Sequence, residues 1–153
     1  MKKIIFVLLL CVFFISGCGI NYPPLKDDAI VFEFGDFIDH DDDDNGYGTL
    51  IYQGRTYIDY GYVKKSLKES DIIDCLGYIK IDENIQRLTG SQETDTRVYT
   101  IAEDANTNFL MVYYVGNGST EMTEPTFYRA MDTRGIDIKL PSFMDSYNYK
   151  YWE

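Results

Sequence analysis

Phe109-Leu110-Met111-Val112-Tyr113-Tyr114-Val115 is the stretch on which the fold turns. It carries no charge and is apolar on both faces of a pleated chain, as a central strand covered on both sides requires. Upstream, Thr96 to Ala102 is a second strong strand run. Between the two lies Glu103-Asp104-Ala105-Asn106-Thr107-Asn108, whose Asp and Asn side chains favour turn conformations, so the pair predicts a hairpin. Downstream, Gly116-Asn117-Gly118 turns the chain and Thr126 to Met131 reads as another strand. Asp132-Thr133-Arg134-Gly135 is a turn, after which Ile136, Ile138 and Leu140 alternate up to Pro141.

Earlier in the chain the same period of two recurs. Ala29 to Phe34 alternates, with Ile30, Phe32 and Phe34 on one side, and Thr49 to Tyr52 and Thr56 to Tyr60 flank Gln53-Gly54-Arg55, where Gly54 supplies the positive φ of a tight turn. Asp36, Asp39 and Asp41 to Asp44 repel one another, so residues 36–46 read as an exposed acidic loop closed by Asn45-Gly46. Val63 to Cys75 is the one helical window, with Val63, Leu67, Ile72 and Ile73 near one face and Gly77 following. Tyr78 to Asp82 resumes strand alternation, and Glu83 to Asp95 reads as a polar loop. The tail, Tyr147 to Trp152, is expected to pack on the sheet. These signals predict a mainly β protein with one short helix, α+β being the variant: a single antiparallel sheet curled into a small barrel or sandwich.

The first eighteen residues have a different character. Lys2 and Lys3 precede twelve apolar residues, Ile4 to Ile15, and Ile15-Ser16-Gly17-Cys18 ends the segment with small residues before a cysteine. As a helix the apolar run spans about 18 Å at roughly 1.5 Å per residue, short of the roughly 30 Å hydrocarbon core, so it reads as a processed signal peptide. The leader resembles that of bacterial lipoproteins, in which an aliphatic residue stands three positions before an acylated cysteine that becomes the first residue. The resemblance implies removal of residues 1–17, lipidation at Cys18, attachment to the membrane through that lipid, and an extracytoplasmic place in the cell envelope. It covers the leader alone. Residues 18–28, with Pro23-Pro24 and Lys26-Asp27-Asp28, then read as an extended lipidated tether, and 29–153 as one β-rich domain. In the body, stretches such as Gly54-Arg55-Thr56-Tyr57, Cys75-Leu76-Gly77-Tyr78-Ile79 and Pro125-Thr126-Phe127-Tyr128-Arg129-Ala130 resemble small uncharacterised lipoproteins of Gram-positive bacteria, a resemblance that implies no activity.

Removing the leader from the 153 residues leaves 136, enough for one domain with a real core. Without Lys2 and Lys3, 12 of the 14 basic residues remain against 25 acidic ones, a net charge of −13. Such a balance repels phosphate backbones, which excludes nucleic acid as a partner. Of the three cysteines, Cys11 leaves with the leader and Cys18 is claimed by lipid. Cys75 is then the one free thiol, no intrachain disulfide can form, and it reads as a small buried hydrophobe.

Two constellations are candidate sites. Asp41, Asp43, Asn45 and Gly46 fit the first half of a D-x-D-x-N-G calcium loop, whereas the position of its closing Glu is Tyr52; Asp41, Asp43 and Asn45 are the candidate Ca²⁺ ligands, and a solvated acidic loop is the plainer reading. Fourteen tyrosines and one tryptophan form the second feature. Tyr147, Tyr149, Tyr151 and Trp152 are the first candidates for a ligand-binding aromatic patch, against the plain alternative of sheet packing. His40, the single histidine, stands between acidic neighbours and makes a poor general base, so no catalytic residues are assigned and no cofactor beyond that Ca²⁺ is implied. The expected function is a non-enzymatic interaction or accessory module of the envelope, meeting an envelope protein or glycan. The alternative is a module that captures carbohydrate, peptide or Ca²⁺.

Overall fold

The computed structural model describes residues 20–40, 45–83, 86–87, 90–116 and 124–153. Among the described residues nine strands make one sheet: β1 Ile30–Phe32, β2 Gly35–Asp39, β3 Asn45–Tyr52, β4 Arg55–Val63, β5 Ile72–Ile79, β6 Thr96–Ile101, β7 Phe109–Tyr114, β8 Thr126–Ala130 and β9 Met144–Ser146. The order across the sheet is β1-β5-β6-β7-β8-β4-β3-β2, with β9 added to β4. All pairs are antiparallel except β1 with β5. The sheet is strongly curled into a half-barrel, and register shifts in β4 and β5 assist the bend. Glu33 and Phe34 alone separate the strands at its two outer edges, so the edges meet at one corner, three Cα steps apart and within about 11 Å.

The 109–115 run occupies the centre, as its two apolar faces require. Leu110 and Val112 join Phe32, Leu50, Tyr57, Ile79, Val98, Tyr128 and Ala130 in the cluster that fills the concave side. Phe109 and Met111 point the other way, into a cluster with Tyr60, Leu67, Ile72, Cys75, Tyr99, Phe127 and Phe143. A curled sheet cannot cover its own convex face. Here that face is closed by the chain on either side of it: Ile20, Tyr22 and Leu25 before β1, Ile138, Leu140 and Phe143 before β9, and Trp152 at the end.

The local signals work where the turn chemistry is local. Gln53 and Gly54 both have positive φ, 50° and 75°, which makes the β3–β4 connection a two-residue type I′ turn. In the β6–β7 connection the Asp104 carboxylate accepts from the amides of Asn108 at 3.0 Å and Phe109 at 2.7 Å. Arg55 then fastens that connection to β4, donating to the carbonyls of Asn106 and Thr107 at 3.0 and 2.8 Å and to both oxygens of Asp132.

Five expectations change. Of the 63–75 window only Glu69–Asp71 is helical, a 3-10 turn, and Ile72–Ile79 is a strand, because antiparallel pairing with β6 and burial of Ile72 and Cys75 outweigh a weak helical period. Gly77 is therefore no helix stop: β1 crosses it so closely that a Cβ there would lie 1.9 Å from the Ile30 carbonyl oxygen. Residues 35–39 of the expected acidic loop form β2, whose Asp36 and Ile38 face out while Asp39 is buried. The expected tether is docked from residue 20 onward, with Tyr22 stacked on Tyr113 at 4.4 Å and Lys26 paired with Asp74, since its apolar side chains find the uncovered convex face. Within the expected 83–95 loop Glu83, Gln86 and Arg87 are helical, with the Gln86 amide bonded to Asp82 O and that of Gly90 to Gln86 O, while Ile136 to Leu140 forms no strand and β9 follows it instead.

Candidate ligand-binding site

β4 is paired along one edge by two different strands. Residues 55–58 face β3, and residues 61–63 face β9. Where one partner ends and the other begins, the chain leaving β9 crosses the convex face, and the tail residues singled out in the sequence are distributed over this crossing.

Their roles differ. Tyr151 is buried against Ile58 and Tyr47 and serves as packing. Tyr147 is 39 % exposed and lies beside Tyr62, 37 % exposed, with ring centroids 5.2 Å apart and planes inclined by 34°. Tyr149 continues the row at 5.4 Å from Tyr147 and meets the edge of Tyr47 at 5.1 Å. Tyr62, Tyr147 and Tyr149 thus form an open aromatic strip. The Tyr149 hydroxyl donates to Asp59 Oδ2 at 3.2 Å, which fixes the strip to β4. The other oxygen of Asp59 is buried and has no hydrogen bond of good geometry among the described residues. Burial raises the Asp59 carboxyl above the usual carboxylate range, opposed by the Tyr149 hydroxyl and the Tyr60 backbone; burial also raises the Tyr149 phenol, and the nearby Asp59 adds to it.

Behind the strip lies a cleft of about 150 Å³ lined by Tyr60, Arg129, Ser146, Asn148, Tyr149 and Trp152, with Glu153 beside them. Arg129 is 7 % exposed. Its guanidinium stands 5.2 Å from the Tyr60 ring centre and 4.7 Å from that of Trp152. Nε donates to Thr133 Oγ1 at 2.9 Å, and Nη2 to the carbonyls of Thr133 and Ile136 at 2.9 and 3.0 Å. All three acceptors are neutral. Among the described residues Arg129 has no carboxylate partner and its Nη1 has no acceptor. Asn148 holds a left-handed φ of 57°, and its Oδ1 accepts from Ser146 Oγ at 2.9 Å. Arginine is rarely buried without a counter-charge, because desolvating an ion costs several kcal/mol, on the order of what one domain can spare.

Arg129, Asn148, Asp59 and Tyr62 are site residues that the sequence reading did not select. One signal was present, a lone arginine inside the apolar run Phe127-Tyr128-Arg129-Ala130. Of the other candidates, Asn45 opens β3, exposed and opposite Asp39, whereas Asp41, Asp43 and Cys18 lie outside the described residues. Among the described residues no three His, Cys, Asp or Glu side chains gather as a metal site would require. Cys75 is buried, and burial raises its thiol above the ordinary value. No protein-family model, curated protein or solved structure matches the chain.

Proposed function

We propose that the protein is a lipid-anchored accessory module of the cell envelope, non-catalytic, which holds an envelope partner or glycan against the strip of Tyr62, Tyr147 and Tyr149. The observation that carries this reading is the strip itself. Two of its rings spend over a third of their surface on solvent although the convex face around them is covered, and tyrosine offers large contact area at small entropic cost. The run Ile15-Ser16-Gly17-Cys18, with its resemblance to a lipoprotein leader, supports the anchor. With the chain docked from Ile20 onward, one residue, Gly19, would separate a lipidated Cys18 from the folded body, a reach of two Cα steps or about 7 Å, so the domain would stand directly on the bilayer surface.

Two measurements test the halves separately. Incorporation of labelled palmitate by the full chain, lost in Cys18→Ala, is the expected result for the anchor; labelling that persists in the variant, or never occurs, removes it. For the strip, retention on defined immobilised glycans and envelope peptides is expected to fall at least tenfold in Tyr62→Ser/Tyr147→Ser with the melting temperature little changed. Equal retention by that variant and the wild type excludes the strip as the contact surface.

A further inference from the structure

We propose that the cleft behind the strip is a carboxylate-binding site, with Arg129 Nη1 as its charged donor and the Asn148 side-chain amide as its neutral one. The inference deepens the binding reading above, since it names the chemical class of what is held.

Arg129 is the centre of the case. A guanidinium has five N–H donors in a fixed fork. Here Nε and both Nη2 hydrogens are taken by Thr133 and Ile136, which fixes the plane of the fork and leaves Nη1. The charge is nine-tenths buried between two aromatic faces and has no anion of the protein within ion-pair distance among the described residues. Glu153 lines the cleft but forms no ion pair with it. Rings on two sides soften the missing counter-charge by cation–π attraction without neutralising it. A carboxylate is the natural complement, because guanidinium–carboxylate hydrogen bonds are about twice as strong as neutral ones.

Asn148 supplies the second half. Its Oδ1 is occupied by Ser146, and its Nδ2 has no acceptor among the described residues. Asn148 is held at a left-handed φ of 57°, and such conformations gather at ligand clamps. The volume sets the size of the guest. At roughly 30 Å³ per water, about 150 Å³ admits a carboxylate with the first few atoms behind it, and Tyr149, which lines the cleft and belongs to the strip, joins the two. The terminus of a peptide and a small free acid share this chemistry.

Trp152 lines the cleft and is the single tryptophan of the chain, so fluorescence excited at the red edge of indole absorption, where the fourteen tyrosines do not absorb, reports on this site. The full chain would be titrated with N-acetylglycine, with its neutral amide, with a tetrapeptide bearing a free C-terminus, with the same peptide amidated, and with inorganic phosphate. Saturable fluorescence change with the two free carboxylates and at least tenfold weaker response to the amides is expected; a tighter tetrapeptide than N-acetylglycine assigns a peptide terminus, and the reverse assigns a small acid. Asn148→Gly keeps the left-handed backbone and removes the amide, and is expected to weaken binding about threefold to tenfold. Glu153→Gln removes a competing anion from an exposed position and is expected to tighten it. Arg129→Lys is expected to lose at least tenfold. Response to acid and amide alike, tighter binding of phosphate, no saturable response to 50 mM carboxylate, or unchanged affinity in both Asn148→Gly and Glu153→Gln overturns the proposal. Loss of the carboxylate response with strip-dependent retention intact would refute this site and leave the module's contact surface standing.

Discussion

Gly77→Ala is expected to unlatch β1 from the sheet. The added methyl would sit 1.9 Å from the Ile30 carbonyl oxygen and 2.7 Å from the Ile30 nitrogen and carbonyl carbon. These are backbone atoms, which cannot turn aside as a flexible side chain can, so the strand must move away. β1 is three residues long and pairs with β5 alone, Ile30 with Gly77, Val31 with Tyr78 and Phe32 with Ile79. Moving it breaks those pairings and the 2.9 Å bond from the Lys80 amide to Phe32 O, and withdraws Phe32, 2 % exposed, from the concave cluster. Evacuating a buried phenylalanine costs about 3–5 kcal/mol once the cavity is included, a large share of the roughly 5–15 kcal/mol that holds a domain together. Urea unfolding of Gly77→Ala, Phe32→Ala and the double variant measures the effect. Each single change should cost about 3–5 kcal/mol, and the double should cost far less than their sum, because both act by emptying the same site. Hydrogen exchange at the Lys80 amide should accelerate in step. A Gly77→Ala protein within 1 kcal/mol of wild type, or fully additive losses, would refute the latch.

Three further outcomes follow from polar groups of the fold. Asp59→Asn should raise the melting temperature more at pH 7 than at pH 3.5: the folded protein binds the Asp59 proton more tightly than the unfolded chain, so wild-type stability declines as pH rises from the ordinary carboxylate range of about 3.9 through the raised value, and the variant escapes that decline. An equal difference at both pH values would contradict it. Arg55→Ala should cost about 2 kcal/mol in urea unfolding through its bonds to the Asn106 and Thr107 carbonyls, the second of which keeps the Tyr57 hydroxyl as a donor, and to Asn108 Oδ1, whereas Asp132→Asn on the exposed side of the same clasp should cost under about 1 kcal/mol. Similar losses in both would assign the effect to the ion pair instead. Tyr99→Phe should be neutral or stabilising by up to about 1 kcal/mol, because among the described residues the Tyr99 hydroxyl is buried without a hydrogen-bond partner and burial pushes its phenol up to about 12; a loss above 1 kcal/mol would reveal a partner for it.

What the amino-acid order determined by itself is whatever a few consecutive residues can decide. Gln53-Gly54 fixes a type I′ turn and thereby the β3–β4 register, and the Asp104 side chain closes the β6–β7 connection onto amides four and five residues on. The doubly apolar 109–115 run needed only its own composition to read as a central strand. Tertiary structure decided the rest. Gly35–Asp39 is a strand despite its charges because β3 offers it a ladder, and Ile72–Ile79 abandons its helical spacing because β6 does the same. Strand pairing draws its stability from partners distant in sequence, so no local period reports it. The candidate site follows the same logic. Trp152 and Arg129 are 23 positions apart, and only the crossing of the tail over the convex face turns a lone arginine of an apolar strand into a buried charge beside a cleft.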